Sequence, residues 1–170
     1  MENENKPITD VTNMLFIDGD KILLGLKKRG FGMGKYNGFG GKPLKDESIL
    51  DAAIREAYEE SGLIVKDCYK AGIIDFGESY LLRMHLYVCT KWVGIPTESD
   101  EMKPVWFTTD KIPYAYMWKD DAYWLPLVLE GKKIKATFNF MNNDDVLGTD
   151  DNEIVSYEIS EDSLSIKETD

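Results

Sequence analysis

The stretch Gly41-x5-Glu47-x7-Arg55-Glu56-Ala57-x-Glu59-Glu60-x-Gly62-Leu63 constrains this chain more than any other feature. Its second half is a helix on local grounds. Ser48 is a good N-cap, Asp51 completes an approximate capping box, and Gly62 is a natural C′ stop, so a helix is expected over residues 49–61. Leu50, Ala53, Ile54 and Ala57 recur at helical spacing and form its expected buried stripe. Glu56, Glu59 and Glu60 then stand at i, i+3 and i+4 and share one face. Three carboxylates so close repel one another, and a divalent cation among them offsets that repulsion with hard oxygen ligands. Arg55, four residues before Glu59, is placed to pair with it and hold it. Three glutamates alone are more often a solvated face. The full spacing weighs against that, because seven fixed Gly, Glu and Arg positions coincide by chance on the order of once in 10⁸ starts.

The rest of the chain reads as one mixed α+β unit. Strands are expected at 11–17, 21–26, 65–76, 80–89, 105–107, 134–140 and 154–159, with Asp18-Gly19 as a hairpin turn. Residues 28–42 hold six glycines and read as a loop whose backbone turns unusually or approaches something closely. A second helix is expected at 121–130, stopped by Gly131. No repeat or linker divides the chain, so 1–160 is expected to be a single domain and 161–170 an acidic, frayed tail. The architecture implied is a mostly antiparallel sheet with a helix on each side.

Charge narrows the partners. The net charge is −11, yet residues 21–45 carry seven Lys or Arg and no acid, while 142–170 carry ten acids and one Lys. A chain this acidic repels a nucleic acid polymer, whereas a local basic segment and metal ions can still hold a small anion such as a nucleotide. No apolar run is long enough to cross a membrane, and the polar start lacks a signal-peptide pattern, which points to a cytoplasmic protein, expected to be monomeric. Cys68 and Cys89 are expected as reduced core residues. His85, the single histidine, lies in a strand and is read as structural, so neither His-based catalysis nor a zinc site is expected.

The carboxylate stretch matches the whole signature of the Nudix hydrolases, with Ala57 standing where that family usually has a larger aliphatic. The resemblance implies the Nudix fold, an α/β/α sandwich, and hydrolysis of a nucleoside diphosphate linked to a further group at an internal phosphate–phosphate bond. It implies Glu56, Glu59 and Glu60 as ligands of Mg²⁺ (or Mn²⁺), with the carbonyl of Gly40 as a further ligand. It also implies Arg55 as a member of the catalytic set. The general base stays open among Glu59, Glu60 and Glu101, the last from the acidic run Glu98-Ser99-Asp100-Glu101 and also a candidate ligand.

The flanking residues are similar to the branch of that family that hydrolyses oxidised purine nucleoside triphosphates. Those residues are Leu23 to Gly32, Tyr36-Asn37-Gly38-Phe39-Gly40-Gly41-Lys42, Glu98 to Pro104, and Met117 to Trp124. This implies substrate contacts at Thr12, Lys27, Phe39, Gly40, Gly41 and Lys42. Read directly, a base site needs apolar walls and a few polar groups at the ring edge. Phe31, Phe76, Trp118 and Trp124 are candidate walls, each by itself equally a core aromatic, and Asn37 offers both donor and acceptor. Asp120 and Asp121 start a helix, where one Asp suffices as a cap. The resemblance implies instead that they read the purine edge, and two carboxyls so close do not both ionise easily. The expected activity is Mg²⁺-dependent cleavage of 8-oxo-dGTP or 2-hydroxy-dATP to monophosphate and pyrophosphate. The alternatives are a Nudix enzyme for ADP-ribose or a dinucleoside polyphosphate, and a non-catalytic nucleotide-binding module.

Overall fold

The computed structural model describes residues 8–77, 82–141 and 153–161. In order they form β1 (Thr9–Asp18), β2 (Lys21–Lys27), β3 (Tyr36–Asn37), α1 (Ile49–Ser61), β4 (Ile64–Phe76), β5 (Leu82–Val93), β6 (Met102–Thr108), a 3₁₀ turn (Tyr114–Tyr116), α2 (Asp121–Leu129), β7 (Ile134–Phe140) and β8 (Ile154–Glu161). One sheet runs β3-β2-β1-β5-β4-β7-β8, and β6 pairs with the other edge of β2. The β1–β5 and β4–β7 pairings are parallel and the others antiparallel. The mixed, mostly antiparallel sheet is therefore as the residue pattern implied. The expected tail lies outside the described residues except for Glu161, which ends β8.

Period-two alternation sorts side chains to the two faces. Met14 and Phe16 join Ala53, Ala57, Leu63 and Tyr87 in a core under α1, while Leu15 joins Ile74, Leu86, Trp124, Leu125 and Val128 in a core under α2. The helices thus cover opposite faces, an α/β/α arrangement. Helix α1 begins as its caps dictate: the Ser48 hydroxyl accepts from the Asp51 N–H at 3.1 Å, and Gly62 takes a left-handed φ of 78° to end it. Its buried stripe is rotated from the expected one. Ala52, Ala53 and Ala57 are fully buried, whereas Leu50 and Ile54 are only half-buried against the same core. Small side chains let this helix lie close to the sheet, so the larger ones flank the contact.

Strand β3 was not expected from sequence. It exists because Asn37 and Tyr36 register against Gly25 and Leu26 of β2, a pairing set by tertiary position. Cys68 and Cys89 face each other across β4 and β5 as thiols, the first half-buried and the second buried.

His85 is structural, as its strand position implied. It is 1% exposed, its Nδ1 lies 2.8 Å from Lys70 Nζ, and its Nε2 lies 2.8 Å from Asp10 Oδ1. An ammonium only donates, so Nδ1 must accept and the ring is the neutral Nε2–H tautomer. Burial, and then the Lys70 charge, hold its pKa below the ordinary value against the opposing pull of Asp10. A base with a depressed folded pKa stabilises the fold fully above its unfolded value, about 6.5, and less as pH falls below it. Buried carboxyls titrate with the opposite sign, so His85 is isolated by difference. Melting temperatures between pH 7 and 5 should fall less steeply in His85→Gln than in the parent. Parallel curves would show that the imidazole stays neutral and uncoupled from folding over that range.

Candidate active site

Helix α1 and the loop before it build one wall of a cleft. Glu56, Glu59 and Glu60 line it with Gly40, Gly41, Lys27 and Glu101, around a volume of about 510 Å³. Strand β1 meets the glycine-rich loop here. Thr12 N–H donates to the Gly41 carbonyl at 2.9 Å, and Gly41 N–H donates to Thr12 Oγ1 at 3.2 Å. This close approach explains two glycines. A Cβ on Gly40 would collide with the Thr12 carbonyl, and one on Gly41 would lie 2.6 Å from the Glu56 carboxyl carbon.

Each carboxyl has a distinct environment. Glu60 is 7% exposed, and its Oε1 accepts from the Gly40 N–H at 2.8 Å. Burial pushes its pKa up to about 7, against the lowering effects of that N–H and of Lys27. Glu101 accepts from Arg29 Nε at 2.8 Å and Lys27 Nζ at 3.1 Å, which together hold it below the usual carboxylate range. Lys28 ties Glu98 at 2.8 Å, so the basic segment grips the acidic run at residues 98–101.

Arg55 does more than pair with Glu59. Its guanidinium takes Glu47 in a two-pronged contact, Nε to Oε2 at 2.8 Å and Nη2 to Oε1 at 2.9 Å, then Glu56 at 3.0 Å and Glu59 at 3.2 Å. The paired guanidinium, together with the Leu44 N–H, pulls the Glu47 pKa down to about 2. Arg55 is therefore a positioning residue that fastens the loop to the helix; sequence spacing alone did not show that Glu47 is its main partner. Among the described residues no three acidic, His or Cys side chains are drawn round one point. Glu56 and Glu59 turn to Arg55, and Glu60 turns to Gly40. The donor set nonetheless fits a hard divalent cation, being carboxylate oxygens ranged along one cleft wall.

A second concavity of about 250 Å³ opens beside the first and shares Lys27, Gly40, Gly41 and Glu60 with it. Its walls include Phe31, Phe76, Leu82, Met84 and Trp118, and its polar groups are Thr12, Asn13, Asn37, Asp120 and Asp121. Phe31 and Trp118 face each other with ring centres 5.2 Å apart, so the loop tip closes one side. Asp120 makes no capping bond to α2; its Oδ2 accepts from Trp124 Nε1 at 2.8 Å. Asp121 Oδ2 is buried without a hydrogen-bond partner. Burial raises the pKa of both, and the neighbouring Asp120 charge raises Asp121 further, while the Trp124 N–H favours ionised Asp120. Two carboxyls so close and so buried resist ionising together, so the pair favours holding a proton that can be donated.

Three expected contacts lie elsewhere. Phe39 is fully buried under α1, edge-on to Phe16, because β1 bonds its backbone at Met14 and turns the ring to that face. Trp124 is a core residue that acts on the pocket only through Asp120. Lys42 is exposed and lines neither concavity; its carbonyl accepts from Arg55. Val11, Asn13, Gly38, Leu82, Met84 and Met102 also line the pocket and were not expected there. Asn13 alone carried a signal, a polar residue between Val11 and Leu15 on an inward strand face. A larger hollow of about 680 Å³, over Asp75, Arg83, Lys135 and Glu158, is a charged sheet face containing none of these groups.

A wall of carboxylates on a capped helix, set against a tight glycine loop, lines a cleft that also holds Lys27. The chain belongs to the NUDIX domain family, whose description matches residues 7–128. It is 45% identical to the oxidized purine nucleoside triphosphate hydrolase of Mus musculus over 149 residues, 86% of this chain and 96% of that protein. It is 47% identical to the protein of the same name from Danio rerio over 137 residues, 79% of this chain and 88% of that one. Among solved structures, a mutator MutT protein from Bacillus halodurans superposes with a TM-score of 0.73 at 29% identity, covering 89% of this chain and 97% of that one. An ADP-ribose pyrophosphatase from Streptococcus suis gives 0.60 at 26% identity, covering 73% and 91%. Hydrolases of this family generally need a divalent metal ion. Among the described residues no helix is long and apolar enough to cross a membrane.

Proposed function

We propose that this protein is a cytoplasmic, monomeric Mg²⁺-dependent hydrolase of oxidised purine nucleoside triphosphates such as 8-oxo-dGTP and 2-hydroxy-dATP, releasing monophosphate and pyrophosphate. The observation that carries the reading is the shared wall. The aromatic-lined pocket opens directly onto the carboxylate cleft through Lys27, Gly40, Gly41 and Glu60. A base in the first places its phosphates in the second. The names of the mouse and zebrafish relatives support the choice of substrate, and the net charge of −11 supports free nucleotides over a polymer.

Glu56, Glu59, Glu60 and the Gly40 carbonyl, with Glu101 at the rim, would hold a divalent cation, which would supply Lewis-acid polarisation of the phosphoryl oxygens and acidify water. Arg55 holds Glu56 and Glu59 in place. Lys27 offers positive charge to the phosphates from the side shared by both concavities. Glu59 and Glu60 on the helix and Glu101 at the rim are the candidates to take up a proton from water, and Arg29 and Lys27 hold Glu101 ionised. Trp118, Phe31 and Phe76 bound the base, and Asn37, Asp120 and Asp121 read its edge.

A hydrolysis screen over normal and oxidised nucleotides with product identification tests this reading. Monophosphate and pyrophosphate should be the initial products, with an oxidised purine turned over fastest. Initial release of inorganic phosphate and diphosphate would overturn the assignment of the bond broken. Faster turnover of ADP-ribose or a dinucleoside polyphosphate would favour a different nucleotide. No metal-dependent turnover on any of them would leave a binding module.

A further inference from the structure

Asn13 lies on the floor of the base pocket, on the same face of β1 as Val11 and core residue Leu15. Its side chain is 8% exposed. The amide nitrogen lies 3.5 Å from Met84 Sδ, which can only accept, so this contact sets the NH₂ on the Met84 side and the carbonyl oxygen on the other. That oxygen, Oδ1, is buried with no hydrogen-bond partner. The fold makes room for it: a Cβ on Gly38 would collide with Asn13 Oδ1. A bare carbonyl oxygen in an apolar strand row is costly to the folded state, and a leucine there would extend the core that Leu15 begins. The cost is explained if a ligand supplies the missing donor.

We propose that Asn13 is a specificity-determining residue of this site, its Oδ1 accepting an N–H from the edge of a purine base. The inference rests on the reading of the pocket as a base site. Purine oxidation changes which edge atoms donate: a ring nitrogen that accepts in guanine becomes an N–H beside the new 8-oxo group. An acceptor fixed on the pocket floor distinguishes those edges, and the Asp120–Asp121 pair lines the same pocket. A base that presents an acceptor to Asn13 leaves two acceptors facing each other without a proton.

Binding of 8-oxo-dGMP, 2-hydroxy-dAMP and dGMP by calorimetry tests this without requiring turnover. Asn13→Leu keeps the volume and removes the acceptor. It should weaken the best-bound monophosphate about tenfold or more and change its ratio to the others, with an equal or higher melting temperature. Gly38→Ala keeps Asn13 but puts a methyl where its oxygen lies, and should shift the ratio in the same direction. Equal changes across all three nucleotides in both variants, or a parent that does not distinguish them, would overturn the role of Asn13. Selectivity that shifts as expected in a protein that hydrolyses no triphosphate would overturn the hydrolase reading and leave this one standing.

Discussion

Glu60→Gln is expected to lower kcat by two decades or more at saturating Mg²⁺ while leaving the melting temperature at neutral pH unchanged or higher. Two decades correspond to about 2.7 kcal/mol of barrier. The substitution keeps the oxygen that accepts from Gly40 N–H and nearly the same volume, but removes the charge proposed to help hold a divalent cation. The stability side follows from the sign of the shift. A carboxyl whose folded pKa is raised, here to about 7, contributes stability that is fully present below about 4.5 and is lost as pH rises through the folded value. A neutral amide escapes the loss. Lower activity with undiminished stability is therefore the signature of a functional carboxyl, whereas near-normal turnover would mean that the acidic face of α1 is merely solvated. Turnover and thermal melts at pH 7.5 on the same preparations separate the two.

Asp120→Asn and Asp121→Asn are expected to change base selectivity more than chemistry. At least one should shift the ratio of kcat/KM between 8-oxo-dGTP and 2-hydroxy-dATP by about tenfold or more. Each polar group left unpaired in a buried site costs roughly 1–3 kcal/mol, and about 1.4 kcal/mol is one decade. The two should differ. Asp120→Asn retains an oxygen for Trp124 Nε1, whose bond to Asp120 is 2.8 Å. In Asp121→Asn a carboxyl, able to accept or to donate, becomes an amide with a fixed pattern, at an oxygen that has no partner within the fold. A capping role predicts the reverse pattern, with lower melting temperatures and equal losses on both substrates. Asp120 makes no side-chain cap bond, which already sets the expectation against it. Melting temperatures that fall while the substrate ratio holds would show that the pair serves the helix and not the base.

What the sequence determined by itself was local. The span of α1 follows from Ser48, Gly62 and the spacing between them, because a cap and its partner are three or four residues apart. The shared face of Glu56, Glu59 and Glu60 follows from the helical period alone. The β1–β2 hairpin follows from Asp18-Gly19 between two apolar strands. None of these requires knowing what else the chain touches. Tertiary structure decided the rest, because it turns on contacts between residues far apart in sequence. Whether Phe39 faces a substrate or a core depends on which face of β1 its strand-like backbone joins. Whether Arg55 answers mainly to Glu59 or to Glu47 depends on how the preceding loop folds back on the helix. Asp120 and Asp121 are adjacent and identical in type, yet one meets an indole N–H and the other meets none. Asn13 shows the limit most clearly. Alternation put it on an inward face, but only the crossing of β1 by the glycine loop at Gly38 and the approach of Met84 from β5 left its oxygen buried without a partner in a residue that lines the pocket.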